Sequence, residues 1–233
     1  MNATHEIEGF LREVPALKGY PDGEIVHLAG FMKRINLRRG ESLFEEDRSA
    51  AGLYLVSTGW LKTYRVSSKG KEIVLDIIGP GEFVSSCCAT MPNAIHGCSA
   101  RALSTAKVYQ AAGTSWPVVL RECPDIIETL LEKVITARRR CVELASEIVF
   151  QDVDSRLASL LLKLSSKSGP VNGGPREIPP LLTHREMAAA IGTAREVVTR
   201  RLARLENEGI LTREGKTIRI DNPSQLQAMV QEG

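Results

Sequence analysis

The chain lacks an excess of charge of either sign: 30 Lys and Arg face 28 Asp and Glu, a net of +2 over 233 residues. A polycation that coats nucleic acid along its whole length is excluded, so any nucleic-acid site must come from local clustering of basic residues. Long hydrophobic runs are missing too. No apolar stretch approaches the roughly 20 residues of a membrane-spanning helix. The N-terminus, MNATHEIEGFLREVPAL, has no basic-then-apolar signal pattern. The chain is therefore expected in the cytoplasm, with no membrane partner. Cysteine is sparse and unevenly placed. There are five, an odd number, and none precedes Cys87. That argues against a disulfide-stapled scaffold and fits a reducing compartment. Adjacent Cys87 and Cys88 lack the C-x-x-C spacing of a thiol oxidoreductase, and no nucleotide loop or acid/base set accompanies them. An enzyme of that kind is only a remote alternative.

What is present falls into three regions. At 43% hydrophobic residues the chain can bury a core, and its length suits one or two domains. From about Leu17 to Tyr109, short apolar runs alternate with turn residues. Leu53–Val56, Leu61–Val66, Ile73–Ile78 and Ala106–Tyr109 are strand-like, with Gly40, Gly59, Gly70, Gly79 and Gly81 between them. Short strands at this spacing predict a small sandwich or barrel. From Pro124 to Phe150 there is neither glycine nor internal proline. Ile127, Leu131, Val134, Arg138, Cys141, Ala145 and Ile148 alternate in spacings of four and three, a heptad seam about four heptads long. That length favours a dimerisation helix over an amphipathic helix packed on its own domain. Arg138 interrupts the seam, and Cys141 is either packing or a residue that meets its own copy across a two-fold axis. Asp152 is placed to cap a helix from Val153 to about Ser165, which the Gly/Pro-rich stretch from Ser168 to Pro175 ends. The expected domains are 1–123, 124–150 and 151–233.

The third region carries the motif. Thr183-His184-Arg185-Glu186 has capping-box form, and an apolar stretch from Met187 to Ile191 follows, closed by Gly192. Thr193-Ala194-Arg195-Glu196 has the same form ten residues later. Two helix starts this close, around a glycine turn, predict a helix-turn-helix. In the second helix Val198, Leu202 and Leu205 are spaced for burial, whereas Arg195, Glu196, Thr199, Arg200 and Arg204 lie on other faces. Arginine can pair with guanine through two hydrogen bonds, and glutamate can accept from the cytosine amino group. For Glu196, capping and base contact both stay open. Gly209-Ile210-Leu211-Thr212 and Thr217-Ile218-Arg219-Ile220 then form a hairpin wing with Lys216 near its tip. From Thr183 to Ile220 there are eight Arg and Lys against five Glu.

IGTAREVVTRRLARLENEGIL followed by GKTIRI closely resembles the DNA-binding signature of the Crp/Fnr superfamily of transcription regulators. LVSTGWLKTYRVSSKGKEIVLDIIGPGEF resembles the N-terminal β-roll of that family, and FQDVDSRLASLLLKL its hinge and first C-terminal helix. The resemblance covers nearly the whole chain. It implies an α+β fold: a β-roll sensor domain of the cyclic-nucleotide-binding type, a long dimerisation helix and a C-terminal winged helix-turn-helix. It also implies a homodimer on an inverted-repeat operator in double-stranded DNA, acting as an activator or repressor and partnered by RNA polymerase. By position, Arg195, Glu196 and Arg200 match the family's main base-reading residues, with Thr199 helping to set preference. Thr183, Thr193, Arg204 and Lys216 are the expected DNA-backbone contacts.

The sensor departs from the cyclic-nucleotide branch of that superfamily. Aligned from Gly81, the branch's ribose-binding Glu falls on Ser86, its phosphate-binding Arg on His96 and the next Ser on Gly97. Losing the Arg removes the charge-assisted grip on phosphate, so cyclic AMP is not expected, although an altered nucleotide pocket stays a second reading. Glu45-Glu46-Asp47 also lacks the glycine usual in that β-roll turn. The N-terminal cysteines of the iron-sulfur branch are absent. Cys87, Cys88, His96 and Cys98 stand instead, within twelve residues. These side chains bind haem or soft metals, react as thiols, or are simply small buried groups. In the family's haem-containing carbon monoxide sensors a haem-ligating His falls on Cys87, and its neighbouring Cys ligand on Ser85. Haem is thus a candidate cofactor, with Cys87 or His96 as its ligand, beside a redox or small-ligand signal.

Overall fold

A computed structural model describes residues 3–50, 52–84, 94–168, 177–178, 182–215 and 217–232. The chain divides into two compact units, residues 1–64 with 76–140 and residues 65–75 with 141–233. The division falls inside the long helix.

Helices α1 (Ala3–Glu13) and α2 (Asp22–Phe31) open the first unit. Strands β1 (Met32–Leu37), β2 (Ser42–Phe44), β3 (Gly52–Thr58), β4 (Leu61–Val66), β5 (Glu72–Ile78), β6 (Phe83–Val84), β7 (Ser99–Ala102) and β8 (Ala106–Ala112) follow. They form two four-stranded sheets, in the orders β1-β8-β3-β6 and β2-β7-β4-β5. The unbroken apolar run in β3 has a simple cause: the strand is buried on both faces. Tyr54 and Val56 join Phe44, Leu61, Ile78, Val84, Ala100 and Val108 between the sheets. Leu53 and Leu55 face a second core with Ile7, Leu11, Ile25, Leu28 and Ile126 from the helices. Gly59 turns β3 into β4 at a φ of 79°, and a Cβ there would lie 2.2 Å from the Thr105 carbonyl oxygen. Asp47, in the turn that lacks the usual glycine, adopts a φ of 61°, an uncommon backbone for a residue with a Cβ.

After α3 (Trp116–Glu122) comes α4, Ile126–Phe150, 25 residues long. Only its first turns are buried, through Ile126, Thr129 and Leu130. The Thr129 hydroxyl donates to the Ala16 carbonyl at 3.0 Å and lies 2.6 Å from the Tyr20 hydroxyl. Further along, Arg140 reaches the carboxylates of Asp76 on β5 and Glu82 in the following turn.

The second unit holds α5 (Val153–Ser168), β9 (Glu177–Ile178), α6 (His184–Ile191), α7 (Arg195–Asn207), β10 (Leu211–Glu214), β11 (Thr217–Ile220) and α8 (Pro223–Glu232). Asp152 caps α5 as the sequence predicts, its Oδ1 accepting from the Ser155 N–H at 2.8 Å. The Arg156 guanidinium donates to the carbonyl of Gln151, just past the end of α4, at 2.5 Å and to that of Ile148, in its last turn, at 3.4 Å. Its Nε also donates to the carbonyl of Ile191, the last residue of α6, at 2.8 Å. The strand order of the small sheet is β10-β11-β9.

Candidate nucleic-acid interface and signal pocket

The helix-turn-helix is built by its caps. Thr183 forms the predicted capping box: the Glu186 N–H donates to its Oγ1 at 3.2 Å, and the Thr183 N–H donates to Glu186 Oε2 at 2.8 Å. Gly192 ends α6 in the left-handed conformation, φ 69°. The second capping box does not form. The Thr193 N–H donates to the Ala188 carbonyl at 2.9 Å and so closes the end of α6. Ala194 is the N-cap of α7 and provides no side-chain cap. Of the two roles open to Glu196, capping is therefore not realised: α7 starts one residue later than the pattern implies, with Ala194 rather than Thr193 at its N-cap.

On α7, Val198, Leu202 and Leu205 are buried as expected. Arg195, Glu196, Thr199 and Arg200 are exposed on the first turns. Pairing sorts the basic residues into two groups. Arg201 pairs with Asp154 at 2.9 Å, and Arg204 with Glu208 at 2.7 Å and Asp154 at 3.2 Å. Arg213 pairs with Glu206, and Arg219 with Glu214 and Asp221. By contrast, the side chains of Arg185, Arg195, Glu196 and Arg200 have no hydrogen-bond or ion-pair partner among the described residues. Arg204, expected at the DNA backbone, is thus already compensated by two carboxylates. Arg185 is exposed and, among the described residues, unpaired, but was not singled out by sequence; its place beside the cap on α6 was the available signal. Lys216 lies outside the described residues. His184 Nδ1 sits 2.8 Å from the Thr199 hydroxyl, which donates to the Arg195 carbonyl at 3.0 Å. Burial, then Arg213 and Arg195, lower the His184 pKa, which favours the uncharged ring.

In the first unit, Cys87 and Cys88 fall outside the described residues, as do Ser85 and Ser86. His96 does not stand out as a cation. Its ring is stacked on Phe44, centroids 3.7 Å apart and planes 7° apart, and it is 1% exposed. Burial lowers its pKa, which disfavours a cation at the position where the nucleotide-binding branch has its phosphate-binding Arg. Cys98 is half-buried against the core between the sheets. Arg101 lies over the Tyr64 ring at 5.0 Å. Among the described residues no group of His, Cys, Asp and Glu is arranged to hold a metal ion.

On α4 the predicted seam residues Ile127, Leu131, Cys141, Ala145 and Ile148 are exposed, and Val134 is half-exposed. The sequence pattern missed Ile135, Val142, Val149 and Phe150, which are also exposed and widen the seam into a stripe.

The pattern of the cyclic nucleotide-binding domain matches residues 34–121, and that of the Crp-like helix-turn-helix domain matches residues 155–229. The chain is a Crp/Fnr-type DNA-binding transcription regulator with a sensor domain. It is similar to the CRP-like cAMP-activated global transcriptional regulator of Mycobacterium tuberculosis, 26% identical over 222 residues, 94% of this chain and 98% of the relative. Among solved structures it resembles FixK2 of Bradyrhizobium japonicum, with a TM-score of 0.77 at 20% identity over 85% of this chain and 96% of the other. It also resembles the c-di-GMP responsive regulator CLP of Xanthomonas campestris, with a TM-score of 0.73 at 20% identity over 86% and 99%. Regulators of this family bind DNA as dimers. None of the described helices is long and apolar enough to cross a membrane.

Proposed function

We propose that this Crp/Fnr-type regulator is a cytoplasmic homodimer that reads an inverted-repeat operator through Arg195, Glu196, Thr199 and Arg200. One observation carries the reading. At the N-terminal end of α7 stand two arginines and a glutamate with no partner among the described residues, while the neighbouring arginines are tied to carboxylates. Charged groups left uncompensated on a recognition helix are available to base edges. Arg185 and Lys216, with the backbone around Thr183 and Thr193, would hold phosphates. Dimerisation would use the α4 stripe, because seven large apolar side chains exposed along one helix, from Ile127 to Phe150, exceed what a monomer normally leaves in water. RNA polymerase is the partner expected at a promoter.

The signal reaches the segment from Cys87 to Cys98, and it is not cyclic AMP held in the manner of the nucleotide-binding branch. Support comes from Ser86 and His96 at the two gripping positions, and from the neutral, stacked state of His96. Haem ligation or metal binding by His96 would require its buried ring to be uncovered. That makes the thiols of Cys87 and Cys88 the better receivers for a redox or gas signal. The test is selection of duplexes from a random pool with reduced and oxidised protein, with and without cyclic AMP. An enriched inverted repeat supports the reading; affinity that is equal for all duplexes at physiological salt overturns it. Enrichment that depends on micromolar cyclic AMP overturns the part about the signal.

A further inference from the structure

His184 opens α6, yet its imidazole is turned across the helix-turn-helix onto the recognition helix, with Nδ1 2.8 Å from the hydroxyl of Thr199. That hydroxyl has one proton, and it donates it to the carbonyl of Arg195, four residues back, at 3.0 Å. Its proton being used, the hydroxyl can only accept from His184, which fixes the ring as the tautomer protonated on Nδ1. Two of the three hydrogen-bonding capacities of Thr199 are thereby satisfied inside the protein. The side chain is nevertheless exposed. It has no proton left to donate to a base; beside one acceptor lone pair it offers its γ-methyl, and the apolar feature of the major groove is the 5-methyl of thymine.

We propose that His184 is a specificity-positioning residue of the DNA site: by holding the Thr199 hydroxyl against the Arg195 carbonyl, it makes position 199 a reader of a thymine methyl rather than a hydrogen-bond donor to a base. The proposal rests on α7 reading bases. His184 needs no contact with DNA to do this. The same bond ties α6 to the first turns of α7, next to the backbone that carries Arg195. His184 therefore also steadies the helix segment that presents Arg195 and Arg200.

The experiment uses the full-length protein and the duplex it selects from a random pool. Each thymine of the half-site is replaced in turn by deoxyuridine, which deletes only the 5-methyl. We expect one such replacement to weaken wild type about fourfold, the value of one buried methyl. Thr199→Ser keeps the hydroxyl and loses the methyl, so it should bind the thymine and deoxyuridine duplexes equally. His184→Ala should lose most of the discrimination at that base pair. His184→Asn, whose amide nitrogen can take the place of Nδ1, should restore it. If no deoxyuridine replacement weakens wild type, or if Thr199→Ser keeps the sensitivity, the proposal is overturned while base reading by α7 stands. Discrimination unchanged in folded His184→Ala likewise overturns it. A pool from which wild type enriches nothing overturns the base-reading itself.

Discussion

The Arg140 guanidinium, midway along α4, is hydrogen-bonded to the carboxylate of Asp76 on β5, and its second nitrogen lies 3.5 Å from Glu82 Oε1. Burial opposes the charge of Arg140, and the two carboxylates outweigh that cost. Removing the cation leaves two partly buried carboxylates with less compensation. Arg140→Gln should therefore destabilise the sensor unit by about 1–2 kcal/mol for a half-exposed charged hydrogen bond, read as a lower urea midpoint. In a double-mutant cycle with Asp76→Asn the two losses should be less than additive. Additive losses would mean that the pair contributes nothing.

The split between paired and unpaired arginines predicts opposite phenotypes for neighbouring residues. Arg200→Ala should cost roughly 1–3 kcal/mol at one base pair and relax the preference there. Arg201→Ala breaks the contact with Asp154 and should leave the base preference intact. Its cost to stability should stay within about 1 kcal/mol. Quantitative binding to a set of single-base operator variants separates the two.

The α4 stripe links oligomeric state to thiol chemistry. Leu131→Glu or Ile135→Glu should give monomers in sedimentation and lose operator affinity. Cys141 is exposed on a single chain. In the dimer it should be alkylated slowly, and in Leu131→Glu rapidly. Cys123 is the internal control: burial, with Glu24 and Glu122 nearby, pushes its thiol up to about 11, so at pH 8 it stays protonated and unreactive in both. Equal labelling of Cys141 in wild type and Leu131→Glu would move the dimer contact elsewhere.

Asp152 gives a pH signature. The Ser155 backbone N–H, and then its hydroxyl, hold the Asp152 carboxyl below the usual carboxylate range. A lowered folded value means that its stabilising contribution is complete above the ordinary aspartate pKa and disappears as pH falls through the lowered one. Asp152→Ala should cost about 1 kcal/mol near pH 7. The gap between wild type and variant, followed by thermal unfolding, should shrink on acidification below about pH 4. A gap that grows on acidification would reverse the assignment.

Much of this was legible in the sequence because the signals were local. Thr183 and Glu186 announce α6 by hydrogen bonds three residues apart, and the apolar run of β3 follows from burial on two faces. β7 was missed because Ser99-Ala100-Arg101-Ala102 has no branched or aromatic residue to mark it; its strand character comes from β2 and β4 on either side. The state of His96 was illegible for the same reason, since Phe44 is far away in sequence. Which arginines are compensated depends on Asp154, some fifty residues before Arg204, and spacing along one helix cannot reveal that. The failed second capping box shows the limit of local patterns themselves: the motif was present, but the helix starts one residue after its threonine, with Ala194 at the N-cap.

Arg156 acts as a common stopper for two helices, since one guanidinium occupies carbonyls at the end of α4 and the final carbonyl of α6. Another turn added to α4 would draw those carbonyls into its own ladder and leave the guanidinium with only the α6 end to hold. Conversely, pulling α6 away would bare the Ile191 carbonyl and leave the Arg156 Nε without that acceptor. The end of the long helix and the end of the first helix of the DNA-binding pair thus draw on the donors of one side chain, so a rotamer change of Arg156 would be felt at both.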